Sequence, residues 1–87
     1  MKMGNMISVR MKFFSGIDKE LKLNNYNPAE GIVIHVPSGT RLRRVLKNLG
    51  AQRRSSYVCF RNGQRIGMWT KLHDGDEVSC LKPSGGG

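Results

Sequence analysis

The chain is short and basic: 87 residues include 15 lysines and arginines but only 6 aspartates and glutamates, giving a formal net charge of +9. A chain of this length forms one domain with a modest core, which argues against a deep substrate cleft and therefore against an autonomous enzyme. No acidic residue lies between Glu30 and Asp74, a stretch that holds most of the arginines. This block predicts an acidic partner, with a solvated basic surface as the alternative.

The first predicted elements are a loose leader over residues 1–5 and a strand that starts near Ile7. Apolar and polar residues alternate there, the period of a half-buried strand. Its core-facing residues would be Ile7, Val9, Met11 and Phe13. The mixed stretch 17–23 predicts at most one helical turn, and 24–28 predicts a loop. A second strand is predicted over 31–36, where β-branched residues dominate.

The clearest predicted element is a helix that follows Pro37-Ser38-Gly39. Thr40 stands where an N-cap is expected, because its hydroxyl can accept from the first backbone N–H groups. Gly50 is expected to end the helix. The apolar residues between them fall at i, i+3, i+4 and i+7 and form one stripe. These residues are Leu42, Val45, Leu46 and Leu49.

Three short strands are predicted after the helix. The first covers 57–61, with Val58 and Phe60 on one face and Phe60 in the core. Asn62-Gly63 predicts a type I′ hairpin turn into a short strand at 64–67. Asp74-Gly75-Asp76 predicts a tight turn into the last strand, 77–82. The pattern therefore predicts an α+β fold, in which one main helix packs across a mixed sheet of four or five strands.

The predicted body carries no pattern typical of a catalytic or metal site. Cys59 and Cys80 stand singly in apolar runs, which predicts buried free thiols. His35 is interpreted as a strand-face residue, because a lone histidine does not make a metal site. The chain shows no signal peptide and no long apolar run, so a cytoplasmic location without membrane contact is expected.

The sequence ends in Gly85-Gly86-Gly87, which is predicted, with Pro83 and Ser84, to form a flexible functional tail over residues 83–87. Glycines without Cβ atoms give the chain its greatest freedom and allow a bare backbone to enter a narrow channel. A carboxylate that is ionised at neutral pH is a poor electrophile, so another enzyme would have to activate it. A frayed terminus is the alternative interpretation.

Several segments together resemble a known family. They are Val9–Phe14, Pro37–Thr40 before the helix, the Asn62-Gly63 hairpin, and Leu72–Val78 followed by a strand, a proline and the glycine tail. In this order they resemble the ThiS/MoaD sulfur-carrier family, which includes the small subunit of molybdopterin synthase and the thiamin sulfur carrier. The resemblance implies a ubiquitin-like β-grasp domain over residues 6–82.

The resemblance also implies a function. In this family an adenylating enzyme of the ubiquitin-activating type uses ATP to activate the terminal carboxylate, here that of Gly87, with Gly85 and Gly86 beside it. Sulfur then replaces AMP and leaves a thiocarboxylate. The acceptor is the large subunit of molybdopterin synthase or thiazole synthase, and the carrier itself binds no cofactor and is a monomer when free. The short link 50–57 is closer to the thiamin branch, whereas the connection 15–30 favours the molybdopterin branch.

The arginines suggest where a partner docks. Arg41, Arg43 and Arg44 occupy the predicted start of the helix, where the positive end of the dipole disfavours cations. We therefore expect them to form, with Arg53 and Arg54, a docking face for an acidic partner. Two alternatives stay open: a ubiquitin-like modifier, and a basic TGS-like RNA-binding module that would use Tyr57, Phe60 and Trp69 for stacking.

Overall fold

The structure, a computed structural model, describes residues 5–83. The predicted leader, apart from Asn5, and the glycines of the predicted tail lie outside these residues. The described elements follow the predicted order. They are β1 (Met6–Phe13), α1 (Ile17–Glu20), β2 (Ile32–Pro37), α2 (Leu42–Asn48), a 3₁₀ turn (Arg54–Ser56), β3 (Val58–Arg61), β4 (Gln64–Ile66) and β5 (Glu77–Leu81).

The strands form one mixed five-stranded sheet in the order β2-β1-β5-β3-β4. Strand β1 is antiparallel to β2 and parallel to β5, while β3 is antiparallel to both β5 and β4. Strand β5 therefore lies at the centre of the sheet, with a partner on each side. This sheet with one main helix confirms the predicted ubiquitin-like β-grasp.

The core lies between α2 and one face of the sheet. All four predicted core residues of β1 are buried, and Met11 has no exposed surface. They meet the apolar stripe of α2, of which Leu42, Val45 and Leu46 are buried and Leu49 is half-buried. The helical period read from the sequence thus identified the core face of α2, and only the last residue of the stripe lies at the edge.

The start of α2 differs from the prediction. The Thr40 hydroxyl donates to the carbonyl of Pro37 at 2.6 Å and caps no helix. The helix begins at Leu42, and its first N–H groups are satisfied across the chain. Leu42 N–H donates to the Thr70 carbonyl at 2.9 Å, and Arg43 N–H donates to that of Met68 at 2.8 Å. Carbonyl groups of residues distant in sequence thus accept the hydrogen bonds that a local cap would otherwise accept.

The predicted turn glycines are confirmed. Gly50 has φ of 99°, and the N–H of Ala51 donates to the carbonyl of Leu46 at 3.0 Å, as in a Schellman motif at a helix C-terminus. In the hairpin between β3 and β4, Asn62 and Gly63 have φ of 52° and 83°. Two consecutive positive φ angles are what a type I′ turn requires.

The predicted face of β3 is wrong. Cys59 and the preceding Tyr57 are buried toward α2, whereas Val58 and Phe60 are half-buried on the opposite face. The register explains this, because Cys59 pairs with Cys80, which faces the core from β5. Since β3 is short and apolar on both faces, its alternation alone did not indicate which face is the inner one.

Candidate functional site

The predicted tail starts at the end of β5, which both neighbouring strands hold. Cys80 pairs with Phe13 of β1, and Leu81 pairs with Val58 of β3. The Phe14 N–H donates to the Cys80 carbonyl at 2.9 Å. The chain therefore leaves the domain from a central strand in a fixed direction. The description ends at Pro83, and the predicted reactive residues Gly85, Gly86 and Gly87 lie outside it.

The carboxylate of Glu20 connects two other parts of the chain to the tail root, the name we give to Lys82 and Pro83 after β5. Glu20 of α1 accepts a hydrogen bond from the Tyr57 hydroxyl at 2.9 Å and forms an ion pair with Lys82. The Lys82 and Glu20 side chains are 38% and 40% exposed, so the pair itself adds little stability and mainly fixes position. Burial, with smaller effects of Cys80 and Cys59, raises the pKa of the Tyr57 phenol above its ordinary value.

The sheet face opposite α2 is partly apolar next to the tail root. Val58, Phe60 and Leu81 are half-buried there, on adjacent positions of β3 and β5. Basic side chains border them: Arg65 pairs with Phe60, and Lys12 bonds Glu77 at 3.3 Å on the same face. An apolar centre with a charged border is the usual anatomy of a protein-binding surface.

The predicted docking arginines divide between two places. Arg43 and Arg54 line one groove with Trp69, and Arg41 donates from Nη1 to the Trp69 carbonyl at 2.7 Å. Arg53 instead lines a second groove, together with Glu20 of α1 and Lys82 at the tail root. Arg44 is exposed on the first turn of α2. Arg53 and Arg54 are neighbours in sequence. A 3₁₀ turn begins at Arg54, and the two side chains line different grooves.

Trp69, a predicted stacking residue of the RNA-binding alternative, is a surface residue. Its side chain is 65% exposed, and the guanidinium carbon of Arg43 lies 4.4 Å from its ring centroid. A cation at this distance over an indole face is attracted by the electrons of the ring. Trp69 is the only tryptophan of the sequence, which could have drawn attention to it. Its pairing with Arg43 could not be predicted, because it depends on the tertiary fold.

Cys59 and Cys80 are buried free thiols, as predicted. Sequence reasoning missed that they are neighbours: they pair directly across β3 and β5, with their sulfurs 3.0 Å apart. The hydrogen bond with Cys59 and burial together raise the pKa of the Cys80 thiol well above its ordinary value. The same hydrogen bond lowers the pKa of the Cys59 thiol, whereas Cys80, as a buried protonated thiol, is a poor nucleophile.

Two further titratable side chains, His35 and Asp76, make structural contacts. His35 is an exposed strand-face residue, as expected, with Nδ1 3.0 Å from the Ser8 hydroxyl. Asp76 accepts from the His73 N–H at 2.8 Å and from Arg61 at 3.2 Å, which fixes the turn before β5. Within residues 5–83, no cluster of His, Cys, Asp and Glu could hold a metal ion. No helix in this range is long and apolar enough to cross a bilayer.

Three solved structures of archaeal proteins share this fold. The solution structure of the Haloferax volcanii HVO 2177 protein has a TM-score of 0.75 and 22% identity, covering 100% of this chain and 92% of that one. A putative molybdopterin converting factor, subunit 1, from Pyrococcus furiosus has a TM-score of 0.66 and 18% identity, covering 88% and 98%. Small archaeal modifier protein 1 from Methanosarcina acetivorans has a TM-score of 0.61 and 23% identity, covering 97% and 100%.

The sequence comparisons assign the family. No curated protein matches the chain. A family model does: that of the ThiS family matches residues 23–87, from the first connection through β5 to the last glycine. This is well over half of the 87 residues. The chain belongs to the ThiS family.

Proposed function

We propose that this chain is a sulfur carrier that acts through the carboxylate of Gly87. The observation that carries the proposal is the family match, which runs through residue 87 and includes the glycines after β5. A partner enzyme of the ubiquitin-activating type transfers AMP from ATP to the Gly87 carboxylate and releases pyrophosphate. Hydrosulfide then attacks the acyl carbon, AMP leaves, and a thiocarboxylate remains.

The residues of this chain position the tail and contribute no catalytic group. Strand β5 fixes the direction in which the tail leaves, because both of its neighbours bond it up to Cys80 and Leu81. The glycines let a partner enclose the extended backbone closely, since they carry no Cβ. The apolar patch of Val58, Phe60 and Leu81 lies beside the tail root, where an enzyme that holds the tail would meet the domain.

Intact-mass spectrometry tests the proposal directly. The full chain is co-expressed with adenylating enzymes encoded in the same genome, and its mass should increase by the difference between sulfur and oxygen. Deletion of Gly87 is the matched control, since it leaves the described domain unchanged and should abolish the increase. An unmodified full-length chain with every adenylating enzyme of that genome would refute the sulfur-carrier proposal.

The sulfur acceptor follows from a second assay. The thiocarboxylate form is incubated with the large subunit of a molybdopterin synthase or with a thiazole synthase, each with its own substrate. We expect one of them to return the chain to its carboxylate mass. Loss of sulfur to the first assigns the chain to biosynthesis of the molybdenum or tungsten cofactor, and loss to the second to thiamin biosynthesis.

A ubiquitin-like modifier is the second candidate function. Its specific support is the fold shared with two structures of small archaeal modifier protein 1, with TM-scores of 0.67 and 0.61. The same adenylate would then be attacked by a lysine amine, and an isopeptide bond would form with release of AMP. Peptide mapping of the co-expressing cells should find Gly87 joined to lysines, and such species should resist thiol reductants and vanish without Gly87.

We propose that five arginines form the surface on which the acidic partner docks. Arg41, Arg43 and Arg44 lie at the start of α2 and Arg54 lies close by, while Arg53 lies beside the tail root. Replacing Arg43 and Arg44 together by glutamate should weaken binding of the adenylating enzyme and reduce its dependence on salt. An affinity equal to that of the unmodified chain, in a variant with native circular dichroism, would contradict this docking face.

A further inference from the structure

The exposed indole of Trp69 stands on a rigid support. The Thr70 N–H donates to the Gly67 carbonyl at 3.1 Å, and the Gly67 N–H donates to the Thr70 hydroxyl at 3.2 Å. The turn is also tied to α2, because Met68 and Thr70 accept the first N–H groups of that helix. The indole is thus held in solvent by a fixed backbone. An exposed indole adds little to the hydrophobic core, so folding stability does not explain why a tryptophan stands at this position.

The surroundings of the indole are basic. The groove beside it is lined by Arg43, Gln52, Arg54, Ser55, Met68 and Trp69, and we name it the Trp69 groove. Within residues 5–83, none of the side chains that line it is acidic. Each guanidinium has five N–H donors, and the contact of Arg54 with the Ala51 carbonyl, at 3.1 Å, uses one of its nitrogens. The remaining donors suit carboxylates, which arginine binds in bidentate fashion.

We infer that the Trp69 groove docks an acidic protein segment that lays an apolar side chain on the indole and carboxylates against Arg43 and Arg54. Tryptophan and arginine are among the residue types enriched in the energetic anchors of protein interfaces. The inference rests on the proposed function only in taking the partner to be the adenylating or acceptor enzyme. The groove itself does not involve the tail.

A nucleic acid fits this surface less well. Single strands bind along rows of exposed aromatic rings. Here Arg43 already covers one face of Trp69, Tyr57 is 5% exposed, and Phe60 lies on the sheet face opposite α2. One indole between arginines matches a protein side chain surrounded by carboxylates rather than a run of bases.

A short synthetic peptide tests the groove without any partner enzyme. It consists of aspartate and glutamate around one central leucine, and it carries a fluorescent label for anisotropy. We expect Trp69→Ala and Arg43→Gln each to weaken its binding about threefold or more, because the first removes the apolar surface beneath the leucine and the second removes a guanidinium that bonds the carboxylates. Lys47→Gln is the matched control, because it removes the same charge one helical turn away and should leave the affinity unchanged. In the unlabelled form, the peptide should also change the fluorescence of the single tryptophan.

Three results would overturn the inference: no binding of the peptide, equal weakening by Lys47→Gln, or tighter binding of a single-stranded oligouridylate of equal charge. The last result would favour the RNA-binding module. Failure of the Trp69 groove inference can be distinguished from failure of the proposed function. A chain that gains sulfur on Gly87 but ignores the peptide loses the Trp69 groove alone, and a chain that binds the peptide but never gains sulfur loses the carrier function alone.

The cysteine pair carries a second, independent proposal. Cys59 and Cys80 are directly opposite residues of adjacent antiparallel strands, and the Cα separation of such residues falls within the range that a disulfide spans. We propose that the pair forms a disulfide that links β3 to β5 when the thiols are oxidised during folding, before the native core encloses them. The two thiols lose two protons and two electrons and form one S–S bond, while a disulfide oxidant such as oxidised glutathione is reduced to two thiols.

The test refolds the full chain in the presence of oxidised glutathione, because the buried thiols are out of reach in the native fold. We expect a mass loss of two hydrogens, reversal by dithiothreitol and a higher thermal midpoint, since the bond closes the loop between the two strands. Cys59→Ser should instead yield only a glutathione adduct. A wild-type chain that gains glutathione, or that stays unchanged, would overturn the proposal.

Discussion

At the scale of single residues, Gly31 shows how a contact can depend on the absence of a side chain. Its φ is 68°, and a Cβ built there would lie 2.3 Å from the Met11 carbonyl oxygen. Its N–H donates to the Asn27 carbonyl at 2.8 Å where the chain enters β2. The sequence placed Gly31 at the start of a strand, but the close approach to β1 depends on pairing that local patterns do not encode.

Replacement of Gly31 by alanine should therefore destabilise the fold more than a change in backbone freedom alone would. Gly39→Ala is the matched control, because Gly39 has φ of 87° but no atom within 4 Å of a built Cβ. Positive φ costs alanine about 1–2 kcal/mol at either site. Urea unfolding should show a clearly larger loss for Gly31→Ala. Equal losses would mean that β1 shifts to accept the methyl group.

At the scale of elements, what could be predicted depended on how local the cause is. The stripe of α2 and the Schellman end at Gly50 follow from residues within two turns of helix, and both were predicted. The start of α2 was not, because Met68 and Thr70 supply the acceptors from another part of the chain. The face of β3 was inverted for the same reason: pairing with β5 decides it.

The α2 stripe should show graded energetics. Leu46 has no exposed surface, whereas Leu49 is only half-buried at the edge of the core. Leu46→Ala should lower the free energy of unfolding by about 2–5 kcal/mol, the usual cost of a cavity in a packed core. Leu49→Ala should cost clearly less, since solvent can fill part of the space. Denaturant titration of both variants checks this, and similar losses would contradict the assigned core boundary.

At the scale of the whole molecule, the sequence predicted the family and the fold better than the surface. The order of strands and turns is distinctive, so both can be read along the chain. The arginine surface is not contiguous: Arg53 and Arg54 diverge, and Trp69 joins Arg43 from across 26 positions (69 − 43). Charge composition predicts that a basic surface exists, but the fold decides its outline.

Burial of the Tyr57 phenol, beside Cys80 and Cys59, predicts how global stability changes with pH. The pKa of Tyr57 is raised in the folded state above the ordinary value of 10.0, so the native state favours the neutral phenol. This contribution is fully present below pH 10.0 and is lost as the pH rises through the folded value. The midpoint temperature of thermal unfolding should therefore fall more steeply above this pH in the unmodified chain than in Tyr57→Phe. Parallel profiles would show that the phenol titrates alike in both states.

The central place of β5 has a mechanical consequence. A partner that draws the tail into a channel pulls along β5, and this force acts lengthwise on the parallel ladder with β1 and on the antiparallel ladder with β3 at the same time. In that direction the hydrogen bonds of both ladders must break together, whereas a strand at the edge of a sheet could be peeled away one bond at a time. The sheet therefore resists a force applied along the chain at the C-terminal end of β5.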